Sequence, residues 1–147
     1  MSVKARVQDA SILWERGQRE GAFLMALVAV AATARSRFVK SASDRDAFEQ
    51  FLQLAHPVRL SVEYRGEVQP IEHVFYKWFR CSLIHEGTLP MDIEFMPEVH
   101  PGVLSVRAGG APEFVLRVSE GWFHHLIHAV RTAPENREAF LASGGEG

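Results

Sequence analysis

The sequence predicts a mainly α-helical bundle with a small antiparallel β meander inserted before its C-terminal helices. Three observations carry this. Residues 22–32 are an almost unbroken apolar run, Ala-Phe-Leu-Met-Ala-Leu-Val-Ala-Val-Ala-Ala, of helical rather than strand length. Residues 71–86 repeat Val74, Phe75, Trp78, Phe79 and Leu83 at the spacing of one helical face. Between residues 92 and 118 the period falls to two, in short alternating runs separated by glycine and proline.

Size and charge narrow the options further. The chain has 147 residues and shows no repeat, low-complexity tract or linker, so residues 1–147 are read as one domain with a core of its own. A formal net charge of -2 gives no general attraction for nucleic acid or a membrane surface, and leaves room only for a local basic patch. One cysteine, Cys81, rules out an internal disulfide and a multi-cysteine zinc site, and a reducing cytoplasm is the expected compartment. The apolar run of residues 22–34 is shorter than the roughly 20 residues a membrane span requires. It is preceded by charges of both signs, unlike the basic start of a signal peptide. It is therefore expected to be a core helix, with no membrane partner.

In chain order, residues 1–8 are expected to fray, and Asp9 or Ser11 to cap a helix carrying Ile12, Leu13 and Trp14. Gly17 and Gly21 each cost about 1 kcal/mol inside a helix relative to alanine, so the helix either breaks there or lets another backbone come close. The following helix is apolar on most sides, which predicts burial against a second subunit. Arg35, Arg37 and Lys40 close it with the positive charge that suits a C-terminus. Ser43 or Asp44 starts a helix with Phe48, Phe51, Leu52 and Leu54 inward, ending before His56-Pro57. Residues 58–64 alternate as a short strand, and Arg65-Gly66-Glu67 turns.

The central helix is predicted over residues 71–86, with Gly87 as its C-cap glycine and Pro90 beyond. Residues 92–96, 103–107 and 114–118 form the meander, with turns at Pro101-Gly102 and Ala108-Gly109-Gly110. Ser119 is the expected cap of a helix whose apolar face holds Trp122, Phe123, Leu126, Ile127 and Val130. Ala133-Pro134-Glu135 opens a last short helix with Phe140 and Leu141, and residues 143–147 are a tail.

Several residues bear on function. His124 and His128 share a helix face with Glu120, but without an HExxH pattern they read as the polar side of an amphipathic helix. No metal or other cofactor is expected, a small metal-binding protein using His124 and His128 being the alternative. Cys81 lies among packing residues and reads as a small hydrophobe rather than a nucleophile. Arg35, Arg37 and Lys40 are the one compact basic cluster, a solvated helix end or a contact for RNA. Arg80 and His85 sit together at the far end of an otherwise core-bound helix. They are either satisfied polar residues that suit the helix dipole or the lining of a cleft that acts on a phosphate.

The run Arg80-Cys81-Ser82-Leu83-Ile84-His85 fits an R-x4-6-H pattern, and residues 76–87 as a whole resemble the matching helix of the HEPN superfamily of helical, commonly RNA-cleaving domains. The long helix before it also resembles that fold. The resemblance rests on about a dozen residues, and the strand meander is not part of the superfamily's minimal core. Active members often carry a polar residue after the arginine, where Cys81 stands here. The resemblance implies a metal-independent endoribonuclease of bacterial toxin or defence type, with Arg80 and His85 from two subunits meeting in a dimer cleft. It also implies an antitoxin of protein or nucleotidyltransferase type as a partner. A non-catalytic dimeric module of the same fold, binding RNA, a nucleotide or a protein, is the alternative. The chemistry is sound on general grounds. RNA brings its own 2′-hydroxyl nucleophile, a histidine moves the proton, and an arginine fork stabilises charge on the phosphoryl oxygens.

Overall fold

The computed structural model describes residues 2–41, 43–56, 59–98, 104–109 and 115–141. It is mainly helical, with two small sheets. Helix α1 (Val3–Glu15) starts six residues or more before the sequence-based expectation, because Ser2 accepts a hydrogen bond from the Ala5 N–H and caps it. It ends at Gly17, whose φ of 77° lies in the left-handed region where a glycine is favoured. Gly21 lies inside α2 (Arg19–Arg37), where an added Cβ would come within 3.4 Å of Leu13 on α1. Of the two readings of this glycine pair, the break holds at Gly17, while at Gly21 the neighbour is the Leu13 side chain at ordinary contact distance rather than another backbone.

Helix α2 is the axis of the molecule. It packs against α1, α3 (Asp44–Ala55), the central helix and α6 (Gly121–Thr132). Ala22, Phe23, Ala26, Leu27, Ala29, Val30, Thr33 and Ala34 are buried, and no residue from 22 to 34 is exposed. Within one copy of the chain Leu24, Met25, Val28, Ala31 and Ala32 stay half-buried, so the chain itself already covers most of the apolar helix. Ser43 caps α3 by accepting from the Asp46 N–H, as expected. Leu54 departs from its expected inward position and is 69% exposed, since it lies two residues, about 200°, round the helix from buried Leu52.

Strands β1 (Ser61–Tyr64) and β2 (Glu67–Pro70) form an antiparallel hairpin. Its two-residue turn, Arg65-Gly66, has both φ values positive, 53° and 80°, the pattern of a type I′ turn. Arginine is an expensive residue there. Its guanidinium offsets the strain by gripping Asp92 at 2.8 Å and lying over the Trp78 ring at 4.5 Å. Asp92 also accepts from the Tyr64 hydroxyl at 2.6 Å. The hydrogen bond from Arg65 holds the Asp92 carboxyl below its usual range, and burial together with Asp92 keeps the Tyr64 phenol protonated well above its own. This clamp ties the hairpin to the start of the next strand, β3 (Ile93–Met96).

The second sheet corrects the expected antiparallel meander. Strand order is β3-β5-β4, with β3 (Ile93–Met96) parallel to β5 (Leu116–Ser119) and β4 (Val106–Ala108) antiparallel to it. Alternation in the sequence marks strands but does not order them, and the central place goes to β5, which has three of its four residues buried. The Pro101-Gly102 turn, Gly110 and the strand starts Val103 and Phe114 lie outside the described residues, as does the expected tail. Ser119 does not cap the following helix. It ends β5 and accepts from the Ser105 N–H, while Glu120 takes the cap position without its side chain accepting from the helix N–H groups. A 3-10 turn (Pro134–Asn136) leads into α7 (Arg137–Leu141). Buried Asn136 donates to Thr33 and to the Val130 carbonyl, both at 2.9 Å, and fastens this end to α2.

At the centre, Phe23 meets Phe75, Phe79, Phe95 and Phe123 at ring separations of 4.6–6.5 Å. Helix, sheet and C-terminal helix all converge on this one ring. Phe23→Ala is expected to lower stability by about 3–5 kcal/mol, read as a reduced urea midpoint with an unchanged m value. A loss under 1 kcal/mol would mean that Phe23 does not join the layers.

Candidate functional site

The central helix follows the hairpin directly. It runs as α4 (Ile71–Val74), a π-helical stretch (Phe75–Cys81) and α5 (Ser82–His85). Its start after Pro70 and its end at Gly87, with φ of 77°, agree with the sequence reading. The π stretch was not foreseen. It holds the aromatic run, with Phe75 and Phe79 in the core, Trp78 against Tyr64 at 5.2 Å, and Tyr76 against Phe48 of α3 at 5.3 Å. Such stretches are rare and recur at functional sites.

Arg80 lies in the π stretch and His85 ends α5. A regular α-helix would set them roughly 140° apart, but that figure does not apply where the interval begins in a π turn. Their settings differ. Arg80 is half-buried, with its guanidinium 5.5 Å from the Tyr76 ring centre. Its Nε is buried and has no hydrogen-bond partner, and among the described residues Arg80 makes no ion pair. His85 is exposed. Cys81 is half-buried in the same stretch.

The basic cluster at the end of α2 is divided among carboxylates. Arg35 pairs with Asp44 at 3.3 Å, and Arg37 pairs with Glu135 at 2.8 Å while lying over Phe51. Lys40 is exposed. The expected face of Glu120, His124 and His128 is also divided. Glu120 pairs with Arg19 at 2.9 Å, His124 lies edge-on to Trp14, and His128 faces solvent. Among the described residues no group of three or more His, Cys, Asp or Glu side chains is placed to hold a metal ion.

The histidines that the structure brings together are His56 and His125, a pairing that sequence reasoning did not make. His56 Nδ1 and His125 Nε2 are 3.0 Å apart, and the Trp122 ring meets both edge-on. On its other side His56 Nε2 is 3.8 Å from the Glu72 carboxylate, whose second oxygen accepts from Gln53 at 3.1 Å. The His56 and Glu72 side chains are 3% and 7% exposed. Burial, and then neighbouring His125, lower the His56 imidazole to about 4; burial, and then His128, lower His125. A signal was available: His125 is three residues from Trp122 and one from Leu126, at the border of the apolar face, whereas His124 and His128 lie off it.

The chain matches no protein-family model, no curated protein and no solved structure. No helix among the described residues is long and apolar enough to cross a membrane.

The histidine pair makes stability depend on pH. The folded state keeps His56 neutral down to about 4, while an unfolded chain protonates it near 6.5. Between these values the unfolded state binds more protons, so stability is fully present above 6.5 and falls as the pH drops towards 4. The loss is up to about 3 kcal/mol at about 1.4 kcal/mol per pH unit. Urea denaturation at pH 7.0, 5.5 and 4.5 is expected to show this slope in wild type and a flatter one in His56→Phe. Equal slopes would remove His56 as its source.

Proposed function

We propose that the chain is a metal-independent endoribonuclease of bacterial toxin or defence type, with a HEPN-like bundle and with Arg80 and His85 as its catalytic pair. The observation that supports it best is Arg80. A half-buried guanidinium whose Nε is buried without a hydrogen-bond partner, and which makes no ion pair among the described residues, has lost hydration at that atom with only the Tyr76 ring as neighbour. An incoming phosphodiester would supply the missing anion, and its developing charge is what an arginine fork stabilises. His85, exposed at the end of the same helix, is free to take the proton of the 2′-hydroxyl or give one to the leaving oxygen. Two copies acting across a shared cleft would present both groups to one phosphate. Because one copy already covers most of α2, the dimer surface is assigned to the end of the central helix, where Ile84 beside His85 is 47% exposed and Met91 is 98% exposed. Lys40 and the outer edges of Arg35 and Arg37 are the candidate RNA track, and a protein or nucleotidyltransferase-type antitoxin is the proposed partner.

A second reading has its own observation. Arg80 is packed on Tyr76 while His85 stands in solvent, so one chain does not present them as a pair. This favours a non-catalytic dimeric module that uses Arg80 to bind RNA, a nucleotide or a partner's acidic group.

Cleavage of a mixed RNA pool separates the two readings. The enzyme reading expects His85→Ala to lose about 10²–10⁴-fold in rate, Arg80→Ala a similar factor, and Arg80→Lys to recover only part, since the fork is gone. Products should end in a 2′,3′-cyclic phosphate, and chelators should change nothing. Unimpaired cutting by a folded His85→Ala protein would end the enzyme reading. RNA binding without cleavage, lost in Arg80→Ala, would establish the module. For assembly, sedimentation of wild type should show a dimer at micromolar concentration, and Ile84→Glu a folded monomer. A monomeric wild type at high concentration would exclude the shared cleft.

A further inference from the structure

The row Glu72–His56–His125 does not stop in the core. His125 emerges in the wall of a cleft of about 280 Å³ between the last turns of α3 and α6 and the turn at Pro134. His128, one turn further along α6, and Arg37, from the end of α2, line the same cleft. We propose that this cleft binds the phosphate group of a small phosphorylated ligand, with Arg37 and His128 as its charged contacts and His125 as a histidine that takes up a proton when the anion arrives.

The argument begins with which nitrogen carries hydrogen. His56 Nε2 faces the Glu72 carboxylate across 3.8 Å. A bare nitrogen there would set two acceptors against each other, so the proton belongs on Nε2. His56 Nδ1 is then the acceptor, and His125 donates its Nε2–H to it across 3.0 Å. Gln53 holds Glu72 in place from behind. The remaining nitrogen of His125, Nδ1, has a lone pair and no hydrogen in the neutral form. It can donate to an anion only after gaining a proton.

The surroundings are arranged for that exchange. Burial and His128 oppose a charge on His125 in the free protein. Arg37 lines the same cleft with Glu135 paired to it, and Glu72 lies behind His56. A phosphate in the cleft adds negative charge on the open side. The imidazolium so formed has one N–H on phosphate and the other on His56. Glu135 engages Arg37 through Nε and Nη2, so the fork still has donors to offer an oxyanion. The cleft lies just below the roughly 300–1,000 Å³ of small-molecule pockets, which suits a phosphate with a small attached group rather than a large cofactor.

The test is a titration of the full-length chain with inorganic phosphate at pH 7, against sodium chloride at equal ionic strength, followed by ¹⁵N NMR of the histidine side chains. Saturable shifts at His125 and His128 are expected, with His125 passing from neutral to doubly protonated at saturation. Arg37→Gln should weaken binding at least about tenfold. His56→Leu should keep binding but change the protonation of His125, an effect that packing alone would not produce. Should Arg37→Gln loosen the fold through Glu135, His128→Asn on the exposed rim is the second variant and should also weaken binding. Shifts no larger than those given by sodium chloride would overturn the proposal. So would unchanged affinity in both rim variants, or a His125 that stays neutral at saturation. RNA cleavage can fail independently, since His128→Asn leaves Arg80, His85 and the candidate RNA track of Arg35, Arg37 and Lys40 intact.

Discussion

Burial of Phe23 on α2 is the constraint on which the other layers depend. Its ring is fully enclosed, and every layer supplies part of the enclosure: α1 through Trp14, the central helix through Phe75 and Phe79, the second sheet through Phe95, and α6 through Phe123. Interiors are packed as densely as organic crystals, so an element cannot shift without opening a gap at this ring. The aromatic run of the central helix meets the same demand. Phe75 and Phe79 turn towards Phe23 while Tyr76 turns to α3 and Trp78 to the hairpin, so one short stretch serves three neighbours. The π stretch coincides with that run, and it also holds Arg80.

What the sequence disclosed follows from what a local pattern can encode. Periodicity located α2, α3, the central helix and α6, and left-handed glycines marked real stops at Gly17 and Gly87. Strand order was not legible. The alternation of residues 92–96 and 114–118 is the same whether the strands pair parallel or antiparallel, and their neighbours are chosen by burial in the finished core. An all-round apolar helix likewise does not say what covers it, and here most of the cover comes from the same chain. The start of α1 was missed because Ser2 was not considered as a cap, and the cap of α6 because Ser119 is used by β5.

The candidate sites divide in the same way. Arg80 and His85 were visible as a pair in sequence, but their different burial was not, since it depends on Tyr76 and α3. His124 and His128 drew notice by spacing, yet spacing ignores depth. His125 lies between them and reaches a residue 69 positions away. Long-range pairs of this kind leave only a faint trace, a polar residue at the edge of an apolar face.

Depth also decides which polar groups are costly. Most arginines here end on carboxylates: Arg19, Arg37 and Arg65 each hold one at 2.8–2.9 Å. Three buried nitrogens go without a hydrogen bond: one is Arg6 Nε, whose guanidinium still pairs with Asp9 at 2.9 Å, and the others belong to Arg80 and His56. Arg80 has a buried Nε with no acceptor, and His56 has a buried Nε2 facing a carboxylate too far away for a hydrogen bond. Unmatched buried polar atoms cost about 1–3 kcal/mol each, enough for apolar replacements to be more stable in a core otherwise well filled. Those of Arg80 and His56 lie in different settings, one on the outer flank of the π stretch and one between α3 and α6. One lies against the Tyr76 ring, and the other lies between the Glu72 carboxylate and a second histidine, His125.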